Sequence, residues 1–299
     1  MLGQKFVAIG HITDDINPKA HLGGGVSYSA VTAAKLGLDA HIITKCSQNH
    51  PYIKKLNGLG VTVHVLPSSL NIITTFNNKY NLQGKRKQIV TNIQESISLE
   101  DKKNIPWNIL TDSIVLVAPV TPIDVDVKLF PDLAKCGSLN VIPQGYFRKI
   151  SKDGTVAQTK WKIFEKHVSD IKIAVLSEED ILLQPEIINK FPLVVLTQGA
   201  KGATTYKKGK EICKTKAFPL LKKELIDFEG AGDVFAAVFI IETVRNPGDI
   251  KASSVTANLF AAVKIAGIGR IGVGSIPSRE QVKEFLKKHS KLDSHVIKL

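Results

Sequence analysis

The chain is poor in cysteine, poor in aromatic residues and free of any long uncharged apolar run, and each scarcity removes a class of protein. Its three cysteines, Cys46, Cys136 and Cys213, are odd in number, far apart and without a C-x-x-C pair. That spacing excludes a disulfide framework and a cysteine-based zinc site and points to a reducing cytoplasm. Even the apolar stretch Val234 to Val244 is interrupted by Glu242, and it falls well short of the roughly 20 residues a membrane span needs. The segment Met1-Leu-Gly-Gln-Lys-Phe-Val-Ala-Ile-Gly enters a strand-like run directly and lacks a signal-peptide layout. No G-x-x-x-x-G-K-[ST] occurs, so a nucleotide here is not held by a P-loop.

Aromatics make up 6% of residues, and the net charge is +13. A nucleic-acid surface would gather its positive residues around exposed aromatics. Here Lys85-Arg-Lys87, Lys207-Lys208, Lys222-Lys223 and Lys287-Lys288 are short and separate. No nucleic-acid partner is expected; the lysines read as solvated charge with some attraction for an anionic nucleotide. With 299 residues, 43% of them hydrophobic and 22% charged, there is room for one α/β domain with a full core.

What is present is an alternation of β-type runs and amphipathic stretches, the pattern of a parallel sheet covered by helices. Phe6-Val-Ala-Ile9 reads as a first strand, and Gly23-Gly-Gly25 opens a helix from Val26 to Leu36, closed by Gly37. Further strands are expected at His41–Thr44, Val61–Leu66, Ile114–Val117, Leu139–Ile142, Ile171–Leu176 and Leu193–Leu196. Helices are expected at Pro51–Leu59, Val234–Val244, Ile250–Ile265 and Ser278–Lys288. Asn71 to Asn92 breaks the rhythm. It alternates polar and apolar residues around Asn77-Asn78 and Gln83-Gly84-Lys85, as a twisted hairpin does. It is a candidate lid, with about 13–22 as its second part, on a single domain spanning 1–299.

The most informative string is Asp227-Phe-Glu-Gly-Ala-Gly-Asp233, running into the helix-like Val234-Phe-Ala-Ala-Val-Phe-Ile-Ile241. Glycines at a helix start let an anion approach the first N–H groups, which lack intrahelical partners and carry the positive end of the helix dipole. A carboxylate beside a bound phosphate is costly, and its natural task is to take a proton from an attacking hydroxyl. An ordinary N-terminal cap is the plainer reading of Gly-Asp alone. Ligands in open α/β sheets bind beyond the carboxyl ends of the strands. Gly10–Asp15, Pro143–Arg148, Ser177–Asp180 and Thr197–Gly202 all follow strands there. Gly267-Ile-Gly-Arg-Ile-Gly272 matches G-x-G-x-x-G but follows a helix, so it reads as a helix stop rather than a dinucleotide fingerprint.

On these residues the chain resembles the ribokinase-like, or PfkB, carbohydrate kinases over nearly its whole length. The family's D-T-x-G-A-G-D signature is similar to Asp227–Asp233, with departures at Phe228 and Glu229. Its glycine pair opening a helix that ends Leu-Gly is similar to Gly23-Gly24 through Leu36-Gly37. The resemblance implies a three-layer sandwich with a mostly parallel central sheet, helices on both faces and a small β lid. It implies ATP- and Mg2+-dependent transfer of the γ-phosphoryl group to a hydroxyl. Asp233 would be the base, with Gly230, Ala231 and Gly232 forming the anion-holding turn. Thr197, Gly199, Gly202 and Asn258 would serve the nucleotide. Where the family has an N-x-x-E motif for magnesium, this chain reads Ser177-Glu-Glu-Asp180, leaving Asp180 or Glu179 as the metal-side acid.

For the acceptor the resemblance implies Asp15, Gly24, Gly25, Tyr28, Gln144 and Arg148. Tyr28 stands where the family often has an asparagine, and plant-type myo-inositol kinases are similar here and at Gln144 and Arg148. A sugar or cyclic polyol is therefore the expected partner, and a homodimer joined through the lid is a further expectation. The alternatives are a nucleoside kinase of the same fold, or a nucleotide-binding regulator that has lost catalysis. Ser177 favours the regulator, and an intact Gly-Ala-Gly-Asp opposes it.

Overall fold

Runs such as Phe6-Val-Ala-Ile9 and Ile114-Val-Leu-Val117 are buried along their whole length in the computed structural model, which describes residues 3–16, 19–80, 86–162, 165–269 and 271–289. Continuous apolar strands of this kind belong in a parallel sheet covered on both faces. Alternate residues serve two separate cores. Phe6, Ala8, Ile114 and Leu116 belong to one, and Val7, Ile9, Val115 and Val117 to the other.

The strands are β1 Lys5–Ile9, β2 Thr13–Ile16, β3 Ala20–Gly23, β4 Asp39–Thr44, β5 Val61–Val65, β6 Thr74–Tyr80, β7 Arg86–Asn92 and β8 Ile114–Val117. They continue with β9 Ser138–Val141, β10 Arg148–Ile150, β11 Val156–Gln158, β12 Ile173–Ser177, β13 Leu193–Thr197, β14 Ala203–Lys207 and β15 Lys210–Thr215. Nine of them form the central sheet in the order β15-β14-β13-β12-β9-β8-β1-β4-β5. It is parallel from β13 to β5 and antiparallel at the β13-β14-β15 edge. The sequence pattern did not reveal that edge. Its signal is Lys208-Gly209, whose φ values of 50° and 77° make the tight two-residue turn of a hairpin.

The helix Ala231–Arg245 is apolar almost all round, with Val234 through Ile241 buried. Such a helix belongs inside a protein, and it packs against the helices Gly25–Lys35 and Ile250–Ile265. Among the described residues no helix is long and apolar enough to cross a membrane. The cysteines are unpaired.

The expected lid is a four-stranded sheet, β3-β2-β6-β7. β2 pairs in parallel with β6, joining the two expected parts, while β2–β3 and β6–β7 are antiparallel. Residues 81–85, with Gln83-Gly84-Lys85, and residues 17 and 18 lie outside the described residues. The hairpin β10–β11 supports the lid from below, where the Val90 N–H donates to the Gly154 carbonyl at 2.8 Å.

Candidate active site

A pocket opens between the lid and the carboxyl ends of the central strands, lined among others by Asp15, Gln144, Arg148, Asp180, Glu229 and Asp233. Two bare helix N-termini border it. Gly230, at φ 71°, starts the helix Ala231–Arg245 with no side-chain cap, so the positive end of that helix is left for a ligand. A Cβ on Gly230 would collide with the Tyr28 ring, whereas one on Gly232 would meet nothing within 4 Å. Gly230 is therefore fixed by backbone and packing, and Gly232 by the open space in front of it. The Ala231 N–H is partly used, donating to the Phe228 carbonyl at 3.3 Å.

The second helix, Gly25–Lys35, follows Gly24 at φ 89° and likewise has no side-chain cap. A Cβ on Gly25 would come within 2.9 Å of Asp233 Oδ1, and one on Gly23 would overlap the Asp15 carboxylate. The glycine run is thus where two carboxylates approach the backbone.

Asp233 lies at the pocket wall, partly reached by solvent but closely surrounded by protein. Desolvation pushes its carboxyl up to about 7; Arg148 and Lys264 pull it down, and Asp180 and Glu229 push it further up. A carboxylate poised near neutral pH suits a general base. Arg148 is buried, donates to the Val120 carbonyl at 2.6 Å and to Gln88 Oε1 at 3.1 Å, and stands 5.5 Å from the centroid of the Phe76 ring. The lid strand β7 thereby helps position it.

Asp180 is buried at the end of β12, and its Oδ2 accepts from both the N–H and the hydroxyl of Ser177 at 2.7 Å. Burial raises its carboxyl, and the two Ser177 bonds oppose that rise. Ser177 therefore orients an acid at this rim. A buried carboxylate sharing the pocket with Asp233 is a suitable partner for hydrated magnesium, which needs few protein ligands. Glu179 is exposed and off the pocket wall; its carbonyl accepts from Gln158 at 2.7 Å.

Sequence reasoning missed two residues of the site. Glu229 Oε2 lies 2.7 Å from His21 Nε2, joining the Gly230–Asp233 turn to the lid strand β3. The Asp15 and Glu229 carboxyls are neighbours in the pocket. Burial first, and the adjoining Glu229 carboxylate second, push Asp15 up to about 7. Burial alone would raise Glu229, but His21 and Asp15 outweigh it and the net direction is down; the Glu229 bond lifts His21 to about 9. Ligand atoms of Asp15, His21 and Glu229 lie within 4.8 Å of one another. The available signal was Glu229 itself, an acid inside the glycine–aspartate string.

Of the other expected residues, Gln144 and Thr197 line the pocket. Gly199 and Gly202 form the turn after β13, where a Cβ on Gly202 would overlap the Thr215 carbonyl. The Asn258 side chain is buried and donates to Thr215 Oγ1 at 3.0 Å, so it braces β15 rather than lining the pocket. Tyr28 touches the pocket but is 1% exposed, and its ring seats beneath Gly230. The Gly267–Gly272 segment follows the helix Ile250–Ile265 as expected, with Arg270 outside the described residues. Beside the turn, Ile226, Phe228, Ile268 and Ile271 form an exposed apolar ledge, 40% to 75% accessible, on two loops tied by the Gly272 N–H to Asp227 Oδ2.

A family model described as pfkB family carbohydrate kinase matches residues 169–275, which include the Asp227–Asp233 string. No curated protein gives a match. Solved structures match over most of the chain. A pyrophosphate-dependent kinase in the ribokinase family, complexed with a pyrophosphate analog and myo-inositol, has a TM-score of 0.75 at 20% identity, covering 93% of this chain and 99% of that one. Ribokinase from Thermotoga maritima has a TM-score of 0.69 at 20% identity, covering 95% and 99%. Ribokinase from Arabidopsis thaliana, complexed with ribose and ATP, has a TM-score of 0.67 at 16% identity, covering 96% and 99%. The expected ribokinase-like architecture, a mostly parallel sheet with helices and a small β lid, is borne out.

Proposed function

We propose that this chain, which has the ribokinase fold and carries the pfkB carbohydrate kinase signature, is an ATP-dependent kinase that phosphorylates a hydroxyl of a cyclic polyol, with a myo-inositol-like acceptor preferred. One observation carries the reading: a carboxylate poised near neutral pH, Asp233, sits at a bare helix N-terminus and shares its pocket with the Asp15–Glu229 pair. In this reading the acceptor hydroxyl lies against Asp233, which takes its proton as the new O–P bond forms and the bond to the leaving diphosphate breaks. The N–H groups at Gly232 and Asp233 receive the charge on the transferring group. Asp180 would hold magnesium through water, and the ion would supply neutralisation of the donor phosphates.

The acceptor preference rests on a set of groups that both donate and accept. Glu229 accepts, Asp15 is raised to where it can hold a proton near neutral pH, and Gln144 both donates and accepts. Neighbouring ring hydroxyls, each able to donate and accept, match that alternation. The ledge of Ile226, Phe228, Ile268 and Ile271 favours a donor with a base, since pyrophosphate has no apolar part to cover it. The test is a donor-by-acceptor panel: ATP and pyrophosphate, each with myo-inositol, ribose, fructose and adenosine. The highest kcat/KM is expected for ATP with myo-inositol. A preference for adenosine or ribose overturns the acceptor reading, and a preference for pyrophosphate overturns the donor reading.

A further inference from the structure

Lys264 is fully buried, an expensive place for an ammonium unless it is closely paired. Its Nζ lies 2.7 Å from Asp227 Oδ2 and donates to the Asp227 carbonyl at 3.1 Å. It also stands 5.6 Å from the centroid of the Tyr28 ring, within the range of a cation–π contact. That ring is the one seated beneath Gly230. Asp227 also accepts from the Gly272 N–H at 2.7 Å, the Glu229 N–H at 3.0 Å and the Ser275 hydroxyl at 3.5 Å. Asp227 is the first residue of the glycine–aspartate string, so the lysine grips that string at its root and through Tyr28 at its middle.

The charges around the site explain why a cation belongs there. Asp15, Asp180, Glu229 and Asp233 line the pocket, with Arg148 as the cation on its wall. A polyphosphate adds more negative charge. The Lys264 ammonium interacts favourably with Asp227, Glu229 and Asp233. We propose that Lys264 is a positioning residue for phosphoryl transfer, a built-in counter-ion whose buried ammonium locks Asp227 and the Gly230–Asp233 turn into their anion-holding shape. The proposal deepens the kinase reading and rests on it.

A merely structural ion pair makes a different set of predictions, and three variants separate the two. Lys264→Met leaves the partly buried Asp227 without its partner and is expected to lose stability. Lys264→Met combined with Asp227→Asn removes both charges and should refold to near wild-type stability. If the lysine positions the turn, the double variant still loses about 100-fold in kcat, the scale of one lost oxyanion contact. The acid limb of its pH–rate profile moves upward, because the Lys264 charge acts on Asp233 more strongly than the Asp227 charge removed with it, and Asp180, Glu229 and Arg148 stay in place. Lys264→Ala should regain turnover with added ammonium or methylammonium, while the wild type gains nothing from either salt. A folded double variant with wild-type kcat and an unmoved acid limb overturns the proposal. Should the wild type phosphorylate no acceptor, the kinase reading fails separately, and calorimetric binding of ATP decides this one. Binding weakened at least tenfold in the double variant supports it, and unchanged binding overturns it.

Discussion

Asp233→Asn is expected to make the protein more stable as it makes it less active, and the stabilisation should depend on pH. Burial lifts the Asp233 carboxyl from an ordinary 3.8 to about 7 in the folded state. Between those values the folded protein holds a proton that the unfolded chain has released. Stability contributed by the protonated acid is therefore complete below about pH 4 and is lost as pH rises through about 7. Each unit is worth about 1.36 kcal/mol, so a span of two units between pH 5 and pH 7 sets an upper bound of about 3 kcal/mol. Solvent at the pocket mouth reduces this to about 2 kcal/mol. Asparagine keeps the shape and cannot ionise, so the advantage of the variant over wild type should grow by that amount between pH 5 and pH 8. Urea unfolding of both proteins at the two pH values measures it directly. An advantage that is equal at both pH values, or absent at pH 8, would refute a desolvated Asp233 and with it the physical basis for a base poised near neutrality.

Gly232→Val should leave the melting temperature within a few degrees of wild type, since a Cβ there meets nothing within 4 Å, yet should abolish detectable transfer; normal kinetics would mean that this turn does not cradle the phosphoryl group. Asp180→Ala should raise the magnesium concentration needed for half-maximal rate, and an unchanged metal titration would move the role elsewhere. Glu229→Gln should raise KM for a polyol at least tenfold, the cost of leaving one or two buried polar groups unpaired, with little change in KM for ATP. A change confined to ATP would place Glu229 on the donor side.

Much of the site was legible because its chemistry is local in sequence. The Gly230–Asp233 turn, the glycines at 23–25 and the acids and amides after β9, β12 and β13 each carry a short-range backbone requirement that a string of letters records. The lid strands were legible through their polar–apolar alternation, but their pairing was not, because β2 and β6 are joined only in three dimensions. The same holds for contacts between distant segments. His21 and Glu229 are 208 residues apart and meet at 2.7 Å. Lys264 and Asp227 look like ordinary surface charges until burial makes them partners. Tyr28, expected on the acceptor side, touches the pocket, and its ring also supports Gly230, a contact set by the packing of two helices rather than by any local pattern.

The central claim is that Asp233 accepts the proton from a polyol hydroxyl as that hydroxyl takes the terminal phosphoryl group of ATP. It is tested most directly by following labelled terminal phosphate into myo-inositol at pH 8 with magnesium, for wild type and Asp233→Asn together with ATP binding by calorimetry. The account predicts a phosphomonoester from the wild type, a loss of about 100-fold or more in the variant and ATP affinity within a few-fold of wild type. A variant that keeps more than about a tenth of the wild-type rate, less than a lost general base would cost, contradicts it.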